Sequence, residues 1–277
     1  LFYNKDIFDR FGVEYPKDGM TWDETFDLAK SLTRLDEGVQ YIGIDPGSER
    51  TIVRGLSAPT VNEAGSQALF NTEPYQKVFT MLRDFYRTPG VVRDDGNYSW
   101  GWNYVLQEQT VAMFPTWIAA TTSRLAALEE EGGGMEWDIA AHPVFAETPQ
   151  YGREVSFQSL MVPPTAENKD AALQVIWSLI SDEVQEEMNR GYNLTVLDRP
   201  DLQNEFAADT RLFEGKNLKG VFSVKPAPTP RPSRFDIDLF AILKEEFQAV
   251  IREGKDVNSA LRDANEKANA YIQTENK

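Results

Sequence analysis

Apolar positions along the chain alternate between helical and strand spacing. At Thr21-Trp22-Asp23-Glu24, Thr21 stands three residues before Glu24, the capping-box spacing, so a helix is predicted to start there. Phe26, Leu28, Ala29 and Leu32 give it an apolar stripe that ends between residues 33 and 38. Val39 to Ile44 then alternates like a strand before Asp45-Pro46-Gly47 turns the chain. Over Glu73 to Tyr86, Val78, Phe79, Leu82, Phe85 and Tyr86 recur at i, i+3, i+4, the mark of an amphipathic helix that should pack on a sheet.

Further on, Trp100 to Glu108 reads as a short helix and Thr110 to Phe114 as a buried strand stopped by Pro115. Thr116 to Glu131 is a predicted helix ended by Gly132-Gly133-Gly134. Trp137 to Pro143 and Ser156 to Val162 are strand-like, and one helix is expected from about Lys169 to Asn189. Prolines at 226, 228, 230 and 232 lack N–H donors, so residues 225–232 form neither a regular helix nor a central strand. From Asp236 to about Thr274 the pattern is helical again, broken at Gly254. Strands interleaved with helices make this an α/β chain with a mixed sheet flanked by helices.

The 277 residues exceed the usual single-domain size and suffice for a large core. A formal net charge of −16 and a pI near 4.6 set the chain against nucleic-acid phosphates and anionic lipid, so no nucleic-acid partner is expected. The best apolar run, Ala171 to Ile180, is too short to span a bilayer. With no cysteine and one histidine, His142, thiol chemistry is excluded, and a Ser-His-Asp triad or multi-histidine metal site has almost no material. The sequence opens at Leu1 without an initiator Met or signal peptide, in what reads as structured sequence, which is the expectation for a piece of a longer polypeptide.

Several runs resemble those of the extracellular solute-binding protein family 1, the maltose-binding-protein-like components of ABC importers. They are Phe2-Tyr3-Asn4-Lys5-Asp6-Ile7-Phe8, Phe11-Gly12-Val13, Tyr15-Pro16-Lys17-Asp18-Gly19 and Thr21-Trp22-Asp23-Glu24. Val111-Ala112-Met113-Phe114 followed by Trp117, Lys169-Asp170-Ala171-Ala172, and Ala260-Leu261-Arg262-Asp263-Ala264 extend the resemblance over nearly the whole chain. The resemblance implies a two-lobed, periplasmic-binding-protein type II-like fold without most of its N-terminal lobe. By the same resemblance, residues 1–136 and 225–277 build the C-terminal lobe. Residues 137–224 would belong partly to the N-terminal lobe, with hinge strands near Ala140 and Val224. It further implies a sugar ligand held between the lobes, an ABC permease as partner, no cofactor, and an extracellular or periplasmic location. Contact with the membrane would come only through a lipid anchor upstream of Leu1.

A sugar site needs flat aromatic faces and planar hydrogen-bonding groups. Trp117 resembles the family's sugar-contacting tryptophan, just past the carboxyl end of a strand, where α/β sheets bind ligands. Its alternative is a core residue. Trp100 and Trp102, two apart, cannot both face one side of a helix, so one of them should be core. Glu49 and Arg50 match a region of polar contacts in the family. Tyr192, Arg231, Arg234 and Phe235 would lie near the edge of the cleft, with a solvated loop as the alternative for each. Acidic pairs such as Asp94-Asp95 raise a glycosidase as the competing function, but with 44 acidic residues such pairs arise by chance. Asp94-Asp95-Gly96-Asn97 lacks the spacing of a calcium loop. A binding protein for a non-sugar solute is the other alternative.

Overall fold

The structure is a computed structural model, and residues 1–276 are described. In chain order the elements are β1 (Phe2–Asn4), α1 (Lys5–Phe11), α2 (Trp22–Leu32), β2 (Arg34–Asp36), β3 (Val39–Tyr41), α3 (Glu49–Arg54) and α4 (Glu73–Tyr86). There follow β4 (Met113–Phe114), α5 (Ile118–Glu130), β5 (Trp137–Ile139), β6 (Tyr151–Glu154), α6 (Lys169–Leu179), α7 (Asp182–Arg190), α8 (Lys219–Phe222), β7 (Lys225–Ala227), α9 (Asp236–Arg252) and α10 (Val257–Glu275). The chain folds as two compact units. Residues 1–115, 135–155 and 219–277 make the first, and residues 116–134 and 156–218 the second.

In the first unit β1 is the centre of a three-stranded antiparallel sheet ordered β4-β1-β5, with Phe2 opposite both Phe114 and Ile139. Parallel bridges join Ile42 to Val111 and Thr21 to Val144, so the pairing is mixed, as the pattern predicts. Local chemistry sets the helix starts. The Asn4 side chain accepts from the Asp6 and Ile7 N–H groups, and Thr21 and Glu24 complete the predicted capping box. The core holds Phe8, Phe26, Phe70, Tyr75, Phe79, Phe85 and Phe247, and each such buried side chain contributes about 1.5–3 kcal/mol.

The amphipathic helix appears at its predicted bounds, but α4 packs chiefly among α2, α3, α9 and α10 rather than on a sheet. Gly254, at φ 72°, and the Asp256 cap turn α9 into α10. The buried Glu246 carboxylate between them accepts from Lys255 Nζ at 2.5 Å and Lys267 Nζ at 2.6 Å. Its two cations offset the cost of burying it.

The proline-rich segment enters as β7, which among the described residues pairs only with β6, in parallel. Pro226 is tolerated because a two-stranded ribbon leaves an outer edge unpaired. The chain leaves the first unit twice, over residues 116–134 and over residues 156–218. The strand that begins at Trp137 pairs with β1.

In the second unit the single helix expected over 169–189 is two. α6 ends at Leu179 with Ile180 as its C-cap, and Ser181 caps α7, its hydroxyl accepting from the Val184 N–H. Asn189 is buried and donates from Nδ2 to the Leu202 carbonyl at 2.8 Å. Gln185 donates to the Leu179 carbonyl and accepts from Thr195 and Val196. The strand expected over 156–162 does not form. Among the described residues it pairs with no other strand, and Phe157, Leu160 and Met161 lie exposed.

Candidate functional site

The carboxyl end of β4 carries the candidate site of the first unit. Phe114 closes the strand, and the Trp102 ring meets it edge-on with centroids 4.8 Å apart. Trp102 is partly exposed and opens a helical segment whose residues 103–107 form a π turn. Trp100, two residues earlier, is 8% exposed and donates its indole N–H to the Val91 carbonyl at 3.0 Å. The Arg93 guanidinium lies over the Trp100 ring at 5.1 Å and donates to the Tyr104 hydroxyl at 2.8 Å. Of the two tryptophans, then, Trp100 is the wall and Trp102 the accessible face. Trp100 precedes the helical segment, and the bend at Gly101, φ 68°, rather than helical spacing separates the two rings.

Asp45 joins this segment to the sheet. Its N–H donates to the Met113 carbonyl at 3.1 Å. Its carboxylate accepts from the N–H groups of Gly47 at 3.1 Å, Trp100 at 3.0 Å and Gly101 at 2.7 Å. Beyond the turn, Glu49 begins α3 but is buried, and burial holds its carboxyl above the usual carboxylate range, against the opposing pull of Lys244 and Arg50. Tyr98 is pushed up to about 12, first by its own burial and then by Glu49.

In the second unit Trp117 stands just before α5 and is 47% exposed, so it is not a core tryptophan. Tyr192 follows the end of α7 at φ 84°, a left-handed conformation that a tyrosine rarely adopts, with its N–H donating to the Asn189 carbonyl. The sequence profile of bacterial extracellular solute-binding proteins matches residues 1–186. The chain belongs to that family.

Solved structures of other solute-binding proteins share its fold. A sugar transporter protein from Rhizobium etli in an open conformation superposes with a TM-score of 0.75 at 17% identity, covering 97% of this chain and 69% of the other. An ABC substrate-binding protein from Listeria monocytogenes in complex with cycloalternan gives 0.72 at 17% identity, over 98% of this chain and 69% of the other. The cyclic α-maltosyl-1,6-maltose binding protein from Arthrobacter globiformis gives a TM-score of 0.69 at 16% identity, over 99% of this chain and 69% of the other. No curated protein sequence matches the chain.

Of the remaining candidates of this solute-binding protein, Arg50, Arg234 and Phe235 make contacts within the first unit. Arg50 is exposed, with its guanidinium over the Phe240 ring at 4.7 Å. Arg234 donates to the Glu275 carbonyl at 3.2 Å and Asn276 Oδ1 at 2.6 Å, closing the last turn of α10. Phe235 is buried, edge-on to Tyr271. Arg231 is exposed. Sequence reasoning read Asp45 only as part of a turn and did not single out Arg54. Arg54 is buried, pairs with Asp236 at 3.4 Å and Glu154 at 3.9 Å, and stacks over Phe240 at 5.1 Å. The acid ahead of Pro46-Gly47 was the available signal for Asp45, since an aspartate there bonds backbone N–H groups two residues on.

Among the described residues no group of three or more His, Cys, Asp or Glu could hold a metal ion. No described helix is long and apolar enough to cross a membrane.

Proposed function

We propose that this solute-binding protein captures a sugar or oligosaccharide and delivers it to the permease of an ABC importer, without making or breaking bonds. The observation that carries the reading is the accessible Trp102 face set against Phe114 at the carboxyl end of β4. An indole there offers the flat apolar surface that a pyranose ring needs. In the second unit, by itself, Trp117 presents an exposed indole of the same kind. Structural neighbours named for cycloalternan and for cyclic maltosyl-maltose support the ligand class. We assign the first unit, residues 1–115, 135–155 and 219–277, to the C-terminal lobe and the second, residues 116–134 and 156–218, to part of the N-terminal lobe.

The test is a thermal-shift screen against mono- and oligosaccharides. A true ligand at 100 times its dissociation constant stabilises by about 2.7 kcal/mol. Saturable one-to-one binding with the sugar recovered intact supports the reading, and turnover of the bound sugar overturns it.

A further inference from the structure

We propose that Asp45 is a positioning residue that aims Trp102 at the ligand without touching it. The inference rests on the reading of Trp102 as the ligand-facing aromatic. Asp45 is only 3% exposed, so its carboxylate is out of a solute's reach. Both its oxygens are committed to backbone. Oδ1 accepts from Gly47, and Oδ2 accepts from Trp100 and Gly101 together. A carboxylate receiving several N–H bonds makes charge-assisted contacts, roughly twice as strong as neutral ones.

What those bonds fix is a bend. Gly101 has φ 68°, which a residue with a Cβ adopts only under strain, and it lies directly before Trp102. Left to itself, glycine is the residue least able to hold one conformation. The carboxylate supplies the missing restraint by gripping the Gly101 N–H at 2.7 Å. Through its own N–H, Asp45 is tied to the Met113 carbonyl, one residue from Phe114. One residue therefore links the strand that carries Phe114 to the bend that carries Trp102, and the 4.8 Å edge-on contact between the two rings is set through it. Trp100 is pinned independently by the Val91 carbonyl and by Arg93, so loss of Asp45 would free Trp102 first.

Asparagine is the informative replacement. It keeps the shape but has one acceptor oxygen, and its amide hydrogens would face N–H donors. The experiment uses the full chain labelled with 5-fluorotryptophan, whose six tryptophan resonances are assigned by single Trp→Phe variants. In Asp45→Asn the Trp102 fluorine line should broaden or split while the Trp22, Trp137 and Trp177 lines stay in place. Gly101→Ala should do the same, since a Cβ there meets no atom within 4 Å and perturbs only the backbone angle. It serves if Asp45→Asn does not fold. A sharp, unshifted Trp102 line in both variants overturns the proposal. Titration with maltotriose is the second arm, with about a tenfold loss of affinity expected in Asp45→Asn. If Trp102→Phe binds maltotriose as the parent does, or the parent binds none, the ligand reading loses support, while the fluorine line still decides the role of Asp45.

Discussion

The imidazole of His142 stands edge-on to the indole of Trp22, with ring centroids 5.5 Å apart, and its Nδ1 lies 2.8 Å from the Pro143 carbonyl. Burial pushes this histidine down to about 3, with Arg153 acting in the same direction and the carbonyl opposing. Folded His142 therefore stays neutral where the unfolded chain begins to protonate, near 6.5. Its contribution to stability is complete above that pH and is lost as pH falls from about 6.5 toward 3. Urea midpoints should show about 2 kcal/mol lost to this group between pH 7 and pH 5, and His142→Gln should lose that much less over the same interval. Parallel curves for the two proteins would refute the assignment.

Glu49 gives the opposite sign. Its carboxyl is held above the usual range by burial, so the unfolded chain ionises first as pH rises. The stability that the protonated group supports is present at pH 4 and declines as pH climbs through its folded value. Glu49→Gln should consequently be more stable than the parent at pH 7.5, with the gain shrinking to nothing near pH 4. Equal midpoints at pH 7.5 would mean that the carboxyl has found a compensating partner in solution.

The aromatic reading can be tested one ring at a time. Trp117→Ala and Trp102→Ala should each weaken binding of the solute identified by thermal shift by about tenfold to a hundredfold, equivalent to roughly 1.4–3 kcal/mol of lost stacking and burial. Trp117→Ala should hardly move the urea midpoint, because half of that side chain already faces solvent. Isothermal titration separates the two effects. Undiminished affinity in both variants would favour a non-sugar solute.

Much of the fold was legible because its signals are local. The capping box at Thr21 and Glu24 and the apolar stripe of α4 each depend on residues within one or two turns, and both elements formed at their predicted bounds. That Trp100 and Trp102 would differ in burial was expected from their spacing, but the bend at Gly101 that separates them was not. Other features depended on partners distant in sequence. Whether residues 156–162 pair as a strand is decided by what lies beside them, and the burial of Glu49 is set by surroundings that no local pattern reports. Asp45 was hidden for the same reason, since its acceptors' partners at 100 and 101 lie 55 and 56 residues away.

Gly43 shows how tightly the first unit is packed. A Cβ built there would lie 1.9 Å from the Ala29 carbonyl oxygen, and backbone on α2 cannot swing aside as a side chain can. The Gly43 N–H also donates to the Thr33 hydroxyl at 2.9 Å, which fixes the chain against the end of that helix. Gly43→Ala should destabilise by about 3 kcal/mol or more. Gly134→Ala, where a Cβ meets nothing within 4 Å, should change the urea midpoint little. Similar midpoints for the two variants would refute the close approach.

The second unit presents the opposite situation. Trp177 is 69% exposed on α6, Leu173 and Val175 are exposed beside it in sequence, and no residue of that helix is buried. Phe157, at 71%, and Met161, at 83%, add to the apolar surface. Soluble proteins rarely leave so much apolar side chain in water, and water expelled from it drives association. This 277-residue chain should therefore bind the dye ANS at neutral pH and associate increasingly in ammonium sulfate, which strengthens apolar contacts. Trp177→Lys combined with Val175→Lys should reduce both effects while leaving the unfolding of the first unit unchanged, because its hydrophobic core contains no residue from 156 to 218. ANS fluorescence that is unaltered in the double variant would show that the dye reports some other surface.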